Sequence, residues 1–165
     1  VDPRFIGFSL FRPIRCQLSS RDITVKNGYA PFLLQQPSSW GAVYFPKPWR
    51  EFRRFFDETK NLDIKVKMGR GQPDPDSNLW DYLTSWKKYL IYYMHTHGWY
   101  MMYPNFPKNL VLSTSRHLAG EHRTPSKKKF VLPLVRPRHM EDEAVRNSVW
   151  NFPSMESMKM YDVMF

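Results

Sequence analysis

The chain has little cysteine, few glycines and no long apolar run, and each scarcity excludes a class of protein. A single cysteine, Cys16, in 165 residues excludes an intrachain disulfide framework and a zinc site built from several cysteines. The apolar stretch over 89–107 contains two histidines and a glycine, so we predict no transmembrane segment. Fourteen prolines against seven glycines interrupt the apolar runs, which predicts short elements and much irregular chain.

The composition that is present indicates one folded, basic domain. Hydrophobic residues make up 42% of the chain and aromatic residues 16%, a composition that excludes general disorder. The formal net charge of +10 favours RNA, anionic lipid or acidic protein as a partner without choosing among them. The chain begins at Val1 without a charged and then apolar leader. We therefore expect that a targeting segment has been removed or that the first part of a longer protein is absent.

Several short apolar runs predict strands. Residues 5–11 are aromatic and end before Pro13, as a buried strand would. Residues 40–45 predict a strand or a tight loop. The runs 99–103 and 110–115 flank six residues of turn chemistry and predict a loose hairpin.

Two main helices are predicted. The first begins at Pro48, and aromatic residues follow it at helical spacing. The second carries an apolar stripe over 79–93, is capped by Ser77 or Asn78, and ends at Gly98. Residues 136–165 alternate charged residues with methionine and aromatic residues and predict an extended tail. The expected fold class is therefore α/β.

Histidines and one aspartate are candidates for chemistry, and each also has a structural interpretation. His95, His97, His117 and His122 could meet around a metal, although their spacing matches no known zinc signature. His95 and His97 fall in the last turn of a predicted helix, where the exposed carbonyls favour an imidazole. Asp81 could act as a base, but the helix dipole also explains a carboxylate in a first helical turn.

A basic cluster in the second half of the chain predicts a contact with an anionic partner, either RNA phosphates or lipid headgroups. A solvated charge run is the alternative interpretation. The aromatic residues fall at core spacing and show no RNA-recognition pattern. The cluster consists of Arg123, Lys127, Lys128, Lys129, Arg136 and Arg138.

Motifs in order along nearly the whole chain carry a family resemblance. They are GFSLFRP (7–13), FLLQQPSSWGAVYFPKPWREF (32–52), SWKKYL (85–90), GWYMMYPNF (98–106), LSTSRH (112–117), GEH (120–122), VLPLV (131–135) and MKMYDVM (158–164). Together they resemble a largely uncharacterised eukaryotic family of glycosyltransferase-like proteins. The resemblance implies a partial nucleotide-sugar-transferase-like domain, the C-terminal half, over 1–135, followed by the tail over 136–165.

The same resemblance implies roles for particular residues. Trp40 and Gly41 resemble the acceptor-side loop, Asp81 a possible base, and His117 or His122 a late metal ligand. In such folds the acidic metal motif and the donor-binding strands precede the matched region, and this chain has no counterpart for them. We therefore expect no cofactor for the isolated chain, and a divalent metal and a nucleotide sugar only if it is part of an active glycosyltransferase.

Three functions follow as hypotheses. The first is a non-catalytic accessory subunit, derived from such a domain and held by other protein subunits in a larger complex, for example a mitochondrial respiratory or ATP synthase complex. The alternative is a fragment of an active glycosyltransferase of the Golgi and secretory pathway. The second alternative is a basic component of an organellar ribosome.

Overall fold

The computed structural model describes residues 2–19, 21–64, 85–114, 132–150 and 153–165, and these residues form a mixed α/β fold. The strands are β1 Phe5–Ser9, β2 Phe32–Leu34, β3 Ala42–Tyr44, β4 Tyr100–Tyr103 and β5 Met160–Tyr161. The α-helices of the described ranges are α1 Pro46–Thr59, α2 Trp86–His97 and α3 Glu143–Trp150. Short 3₁₀ helices lie at Pro107–Asn109, Pro137–Glu141 and Met155–Ser157.

The five strands form one mixed sheet in the order β3-β1-β4-β2-β5. Strand β4 runs parallel to β1 and antiparallel to β2, while β3 and β5 occupy the two edges. Gly7 allows β3 to approach β1 closely, because a Cβ atom at this position would lie 2.1 Å from the carbonyl oxygen of Val43. Its φ of +153° is also one that residues with side chains rarely adopt.

Helices α1 and α2 pack through their aromatic rings. Phe55 lies 4.7 Å from Tyr93 between ring centroids, and Phe56 lies 5.2 Å from Tyr89. Two prolines occupy the first turn of α1, where a missing N–H loses no partner. Helix α2 ends at Gly98, whose φ of 62° is the left-handed conformation that glycine adopts without strain.

The main hydrophobic core lies among the sheet, the two long helices and the C-terminal segment. Cys16 is part of this core, and its thiol donates a hydrogen bond to the carbonyl oxygen of Val163 at 3.1 Å. A thiol buried in apolar surroundings is typically unreactive. The large side chains that are almost completely buried include Phe32, Phe52, Tyr89, Leu90, Met94 and Tyr103.

Most predicted elements are confirmed where the structure describes them. Strand β1 covers the first five of the seven residues predicted, and β4 lies inside the predicted run 99–103. The first helix begins two residues before Pro48, at Pro46. The second helix has Gly98 as its C-cap, as predicted, but it begins at Trp86 and not at residue 79, because Ser85 is extended and serves as its N-cap. The predicted cap at Ser77 or Asn78 lies outside the described residues.

The predicted hairpin is wrong. Strand β4 pairs with β1 and β2, and within the described residues the run 110–115 contributes an isolated bridge from Val111 to Leu134. Residues 104–109 do end strand β4, as their turn chemistry predicts. However, the two neighbours of β4 in the sheet are β1 and β2, which come from earlier in the chain. Local sequence does not carry that long-range pairing.

The last thirty residues are not simply an extended tail. Residues 143–150 form helix α3, because Val145 and Ser148 recur at helical spacing and both are buried. Met160 and Tyr161 then pair with β2 and extend the sheet at its edge. The alternation of charged and apolar residues predicted a tail. It arises instead because this helix and this strand are each partly buried and partly exposed.

Candidate functional site

A cavity of about 720 Å³ opens beside Trp40, and we call it the Trp40 pocket. Its volume is in the range of small-molecule sites, which is roughly 300–1,000 Å³. Its polar lining includes Arg15, Gln17, Asp22, Gln36, Ser38 and Lys87. Its apolar lining includes Phe11, Pro13, Ile14, Trp40, Tyr103 and Leu132. The pocket thus combines aromatic and aliphatic walls with a few polar groups.

Hydrogen bonds hold the loop over residues 35–40, which forms one wall of the pocket. The hydroxyl of Tyr103 donates to the carbonyl oxygen of Gln36, and the hydroxyl of Tyr44 donates to that of Ser38 at 2.7 Å. The N–H of Ser38 also points to the sulfur of Met101, at 3.4 Å. Burial raises the pKa of both tyrosine hydroxyls, so they stay protonated donors. The loop is therefore fixed before any ligand arrives.

Trp40 stands at the end of this loop with half of its surface open to solvent. It is 51% exposed, and the edge of its ring meets Phe11 with 5.2 Å between centroids. The backbone N–H of Trp40 donates to the hydroxyl oxygen of Ser38 at 3.2 Å, and that hydroxyl donates to the backbone carbonyl oxygen of Trp40 at 2.9 Å. The indole is consequently an exposed aromatic surface on a rigid support.

Gly41 fixes the direction in which the chain leaves Trp40. Its φ is +58°, and a Cβ atom here would lie 2.8 Å from both Cβ and Oγ of Ser113. Its carbonyl oxygen accepts a hydrogen bond from the N–H of Leu10 at 2.8 Å. Any side chain at this position would therefore displace Ser113 or the loop that presents Trp40.

Two glutamines supply amide groups to the pocket. Gln36 is 4% exposed, and its Oε1 accepts the N–H of Gln17 at 2.8 Å. Its Nε2 makes no hydrogen bond within the part of the chain that the structure describes. The Oε1 of Gln17 is buried and also lacks a partner there. Since a buried amide oxygen normally finds a partner, the Oε1 of Gln17 favours a polar ligand with a donor group.

Lys87 reaches the pocket from the first turn of α2. The start of this helix is held by Trp86, whose ring packs against Trp49 at 6.0 Å and against Tyr44 at 6.5 Å between centroids. Tyr44 and Trp49 are themselves stacked at 4.8 Å. Burial lowers the pKa of Lys87 to about 8. Tyr44 thus connects the loop of Trp40 with the helix of Lys87.

The predicted site residues divide into described and undescribed groups. Trp40 lines the pocket, and Gly41 follows it in the loop that is predicted to be on the acceptor side. Arg136 and Arg138 are exposed in and next to the 3₁₀ helix at Pro137–Glu141. Those outside the described residues are Asp81, His117, His122, Arg123, Lys127, Lys128 and Lys129.

Sequence reasoning missed Gln17, Gln36 and Lys87. The pair Gln35 and Gln36 within an apolar run was a usable signal, because both side chains are buried in the structure. Lys87 gave no signal, since it is one of two adjacent lysines near a helix start.

Within the described ranges no three His, Cys, Asp or Glu side chains are grouped to hold a metal ion, and no helix is long and apolar enough to cross a membrane.

Comparison with known proteins adds no relative. No family model, curated protein or solved structure matches this chain. The mixed α/β class therefore rests on the five-stranded sheet and the helices themselves. The resemblance to glycosyltransferase-like proteins stays a prediction.

Proposed function

We propose that the chain binds a saccharide in the Trp40 pocket and forms the acceptor-binding side of a glycosyltransferase-like domain. The observation that carries the proposal is the half-exposed indole of Trp40, held rigidly beside the amide groups of Gln17 and Gln36 in a cavity of about 720 Å³. A sugar ring has a face of C–H groups and a rim of hydroxyls. An aromatic wall edged by amides is complementary to both.

The rigidity of the loop supports a binding role. Ordering a loop or a side chain on binding costs free energy, and a wall that is already fixed avoids much of that cost. Ser38, Tyr44 and Tyr103 hold the backbone of the loop through side-chain hydrogen bonds. The indole that this loop presents is 51% exposed and therefore accessible to a ligand.

The resemblance adds an independent reason to place the acceptor here. Trp40 and Gly41 resemble the acceptor-side loop of the glycosyltransferase-like family, and Trp40 lines the pocket. The base and metal ligand implied by that resemblance, Asp81 and His117 or His122, lie outside the described residues. The proposal therefore concerns acceptor binding and assigns no catalytic step to the pocket.

The accessory subunit of a mitochondrial complex and the ribosomal component stay predictions. The mass of the native complex distinguishes them from the present proposal, since both require stable partner subunits. Neither requires a saccharide in the Trp40 pocket.

A glycan array probed with the full chain tests the proposal. We expect binding to a limited set of saccharides, and we expect Trp40→Ala to reduce it by about tenfold or more, because the aromatic wall is lost. Trp150→Ala is the matched control, since Trp150 is 73% exposed and lies outside the pocket lining. Absence of saccharide binding, or equal loss in both variants, would overturn the proposal.

A further inference from the structure

The charge balance of the Trp40 pocket indicates which class of saccharide it takes. The titratable side chains that line it, within the described ranges, are Arg15, Asp22, Lys87 and Tyr103. Arg15 and Asp22 neutralise each other, because Nε of the arginine lies 3.1 Å from Oδ1 of the aspartate. The Tyr103 hydroxyl donates to a backbone carbonyl and stays neutral. Among the described residues of the lining, the ammonium group of Lys87 is left as the charge without an opposite partner.

Lys87 lies in an environment that disfavours its charge. No carboxylate forms an ion pair with it among the residues that the structure describes. It occupies the first turn of α2, which has no acidic residue and no side-chain cap, so the positive end of the helix dipole acts on it as well. An anion beside Lys87 would offset both the loss of water around its ammonium group and the effect of the helix dipole.

We propose that the saccharide in the Trp40 pocket carries an anionic group, a carboxylate or a phosphate ester, that pairs with the ammonium of Lys87. The inference rests on the proposed function and specifies its substrate class. Trp40 contacts the apolar face of the sugar, the glutamine amides meet its hydroxyls, and Lys87 receives its charge. A charge-assisted hydrogen bond in a partly dehydrated pocket is stronger than the same bond in open solvent.

The alternative for Lys87 is a purely packing role, in which its aliphatic stem covers apolar surface and its ammonium only reaches for water. Lys87→Met separates the two roles, because it keeps an unbranched apolar stem and removes the charge. Lys87→Arg keeps the charge. Lys47→Met is the matched control, since Lys47 is an exposed lysine of α1 outside the pocket lining.

The test measures binding of paired sugars to the full chain by titration of its amide NMR signals at pH 7. The probes are glucose with glucuronic acid and glucose 6-phosphate, and galactose with galacturonic acid and galactose 6-phosphate. We expect an acidic sugar to bind about tenfold more tightly than its neutral counterpart. Comparison of the uronic acid with the phosphate ester tells which anionic group the pocket prefers.

The variants decide the inference. In Lys87→Met we expect the acidic and neutral sugars to bind within about twofold of each other, while Lys87→Arg and Lys47→Met keep the preference. In the wild type the preference should weaken above a pH of about 8, and in Lys87→Arg it should persist. Neutral and acidic sugars that bind equally, with a clear loss in Trp40→Ala, would overturn this inference alone. Failure of every sugar to bind would overturn the proposed function with it.

Discussion

The hydroxyl of Tyr44 donates a 2.7 Å hydrogen bond to the carbonyl oxygen of Ser38. Tyr44 ends strand β3 and also packs against Trp49 and Trp86, which stand at the starts of α1 and α2. Through this single side chain, the loop that presents Trp40 is joined to the helix that presents Lys87. The two walls of the Trp40 pocket therefore share one support.

Tyr44→Phe should weaken the pocket without unfolding the protein. The ring contacts remain, but the carbonyl oxygen of Ser38 loses its donor, which we expect to cost about 1 kcal/mol in the free energy of unfolding. Saccharide affinity should fall several-fold as the loop loosens. Denaturant unfolding and sugar titration measure both effects. Tyr29→Phe is the control, because Tyr29 is 45% exposed and lies outside the pocket lining. Equal behaviour of the two variants would argue against the shared support.

Gly41→Ala should destabilise the chain by about 2–3 kcal/mol, since it adds a steric clash with Ser113 to the strain of a positive φ. Gly28→Ala separates these contributions. Gly28 has a similar φ of +68°, yet a Cβ atom there would meet nothing within 4 Å, so it should lose only about 1 kcal/mol. Chemical denaturation of both variants gives the comparison, and similar losses would show that the contact with Ser113 is unimportant.

Lys87→Met should stabilise the protein at pH 7, by about 1–2 kcal/mol. The pKa of Lys87 is about 8 in the folded chain, below the ordinary lysine value of 10.5. Between these pH values the unfolded chain binds more protons, so wild-type stability from this group rises with pH. Below about 8 the penalty for the buried charge is fully present.

The gain from Lys87→Met should therefore shrink between pH 8 and pH 10.5 and vanish above it. Denaturant midpoints of the variant and the wild type at pH 7 and pH 10.5 measure the change. Lys47→Met should show no such pH-dependent gain, because Lys47 is exposed. A constant difference at both pH values would mean that the effect comes from packing and not from charge.

Cys16 should react with a thiol reagent only when the C-terminal segment detaches. The side chain is 1% exposed, and Val163 both covers it and accepts its hydrogen bond. We expect labelling of the native chain to be at least about a hundredfold slower than labelling in denaturant. Val163→Ala should accelerate it, while Leu62→Ala, at a position 54% exposed, should not. Rapid labelling of the native wild type would contradict the burial of the Cys16 side chain.

The sequence predicted the parts of the fold that depend on local chemistry. Gly98 marked a helix end and the aromatic spacing after Pro48 marked α1, because backbone conformation and one-face burial are encoded within a few residues. The order of the strands was not predictable in the same way. The partners of β4 come from residues 5–9 and 32–34, and such pairing depends on packing across the whole domain.

The candidate site shows the same division. Trp40 and Gly41 could be singled out by the predicted resemblance to an acceptor-side loop, and the structure places Trp40 at a cavity of about 720 Å³. Lys87 could not, since what sets it apart is its position at a pocket that is also lined by Gln36, Ser38 and Trp40, which are distant from it in sequence. The local sequence around a lysine does not show whether its side chain lies in a pocket or on an exposed helix surface.

The measurement that tests the account most directly is the affinity of an array-selected saccharide for the wild type, Trp40→Ala and Trp150→Ala, taken by calorimetric titration of the full chain. The account predicts saturable binding by the wild type and Trp150→Ala, and a loss of about tenfold or more in Trp40→Ala. Undiminished binding by Trp40→Ala would contradict the assignment of the Trp40 pocket as the saccharide site.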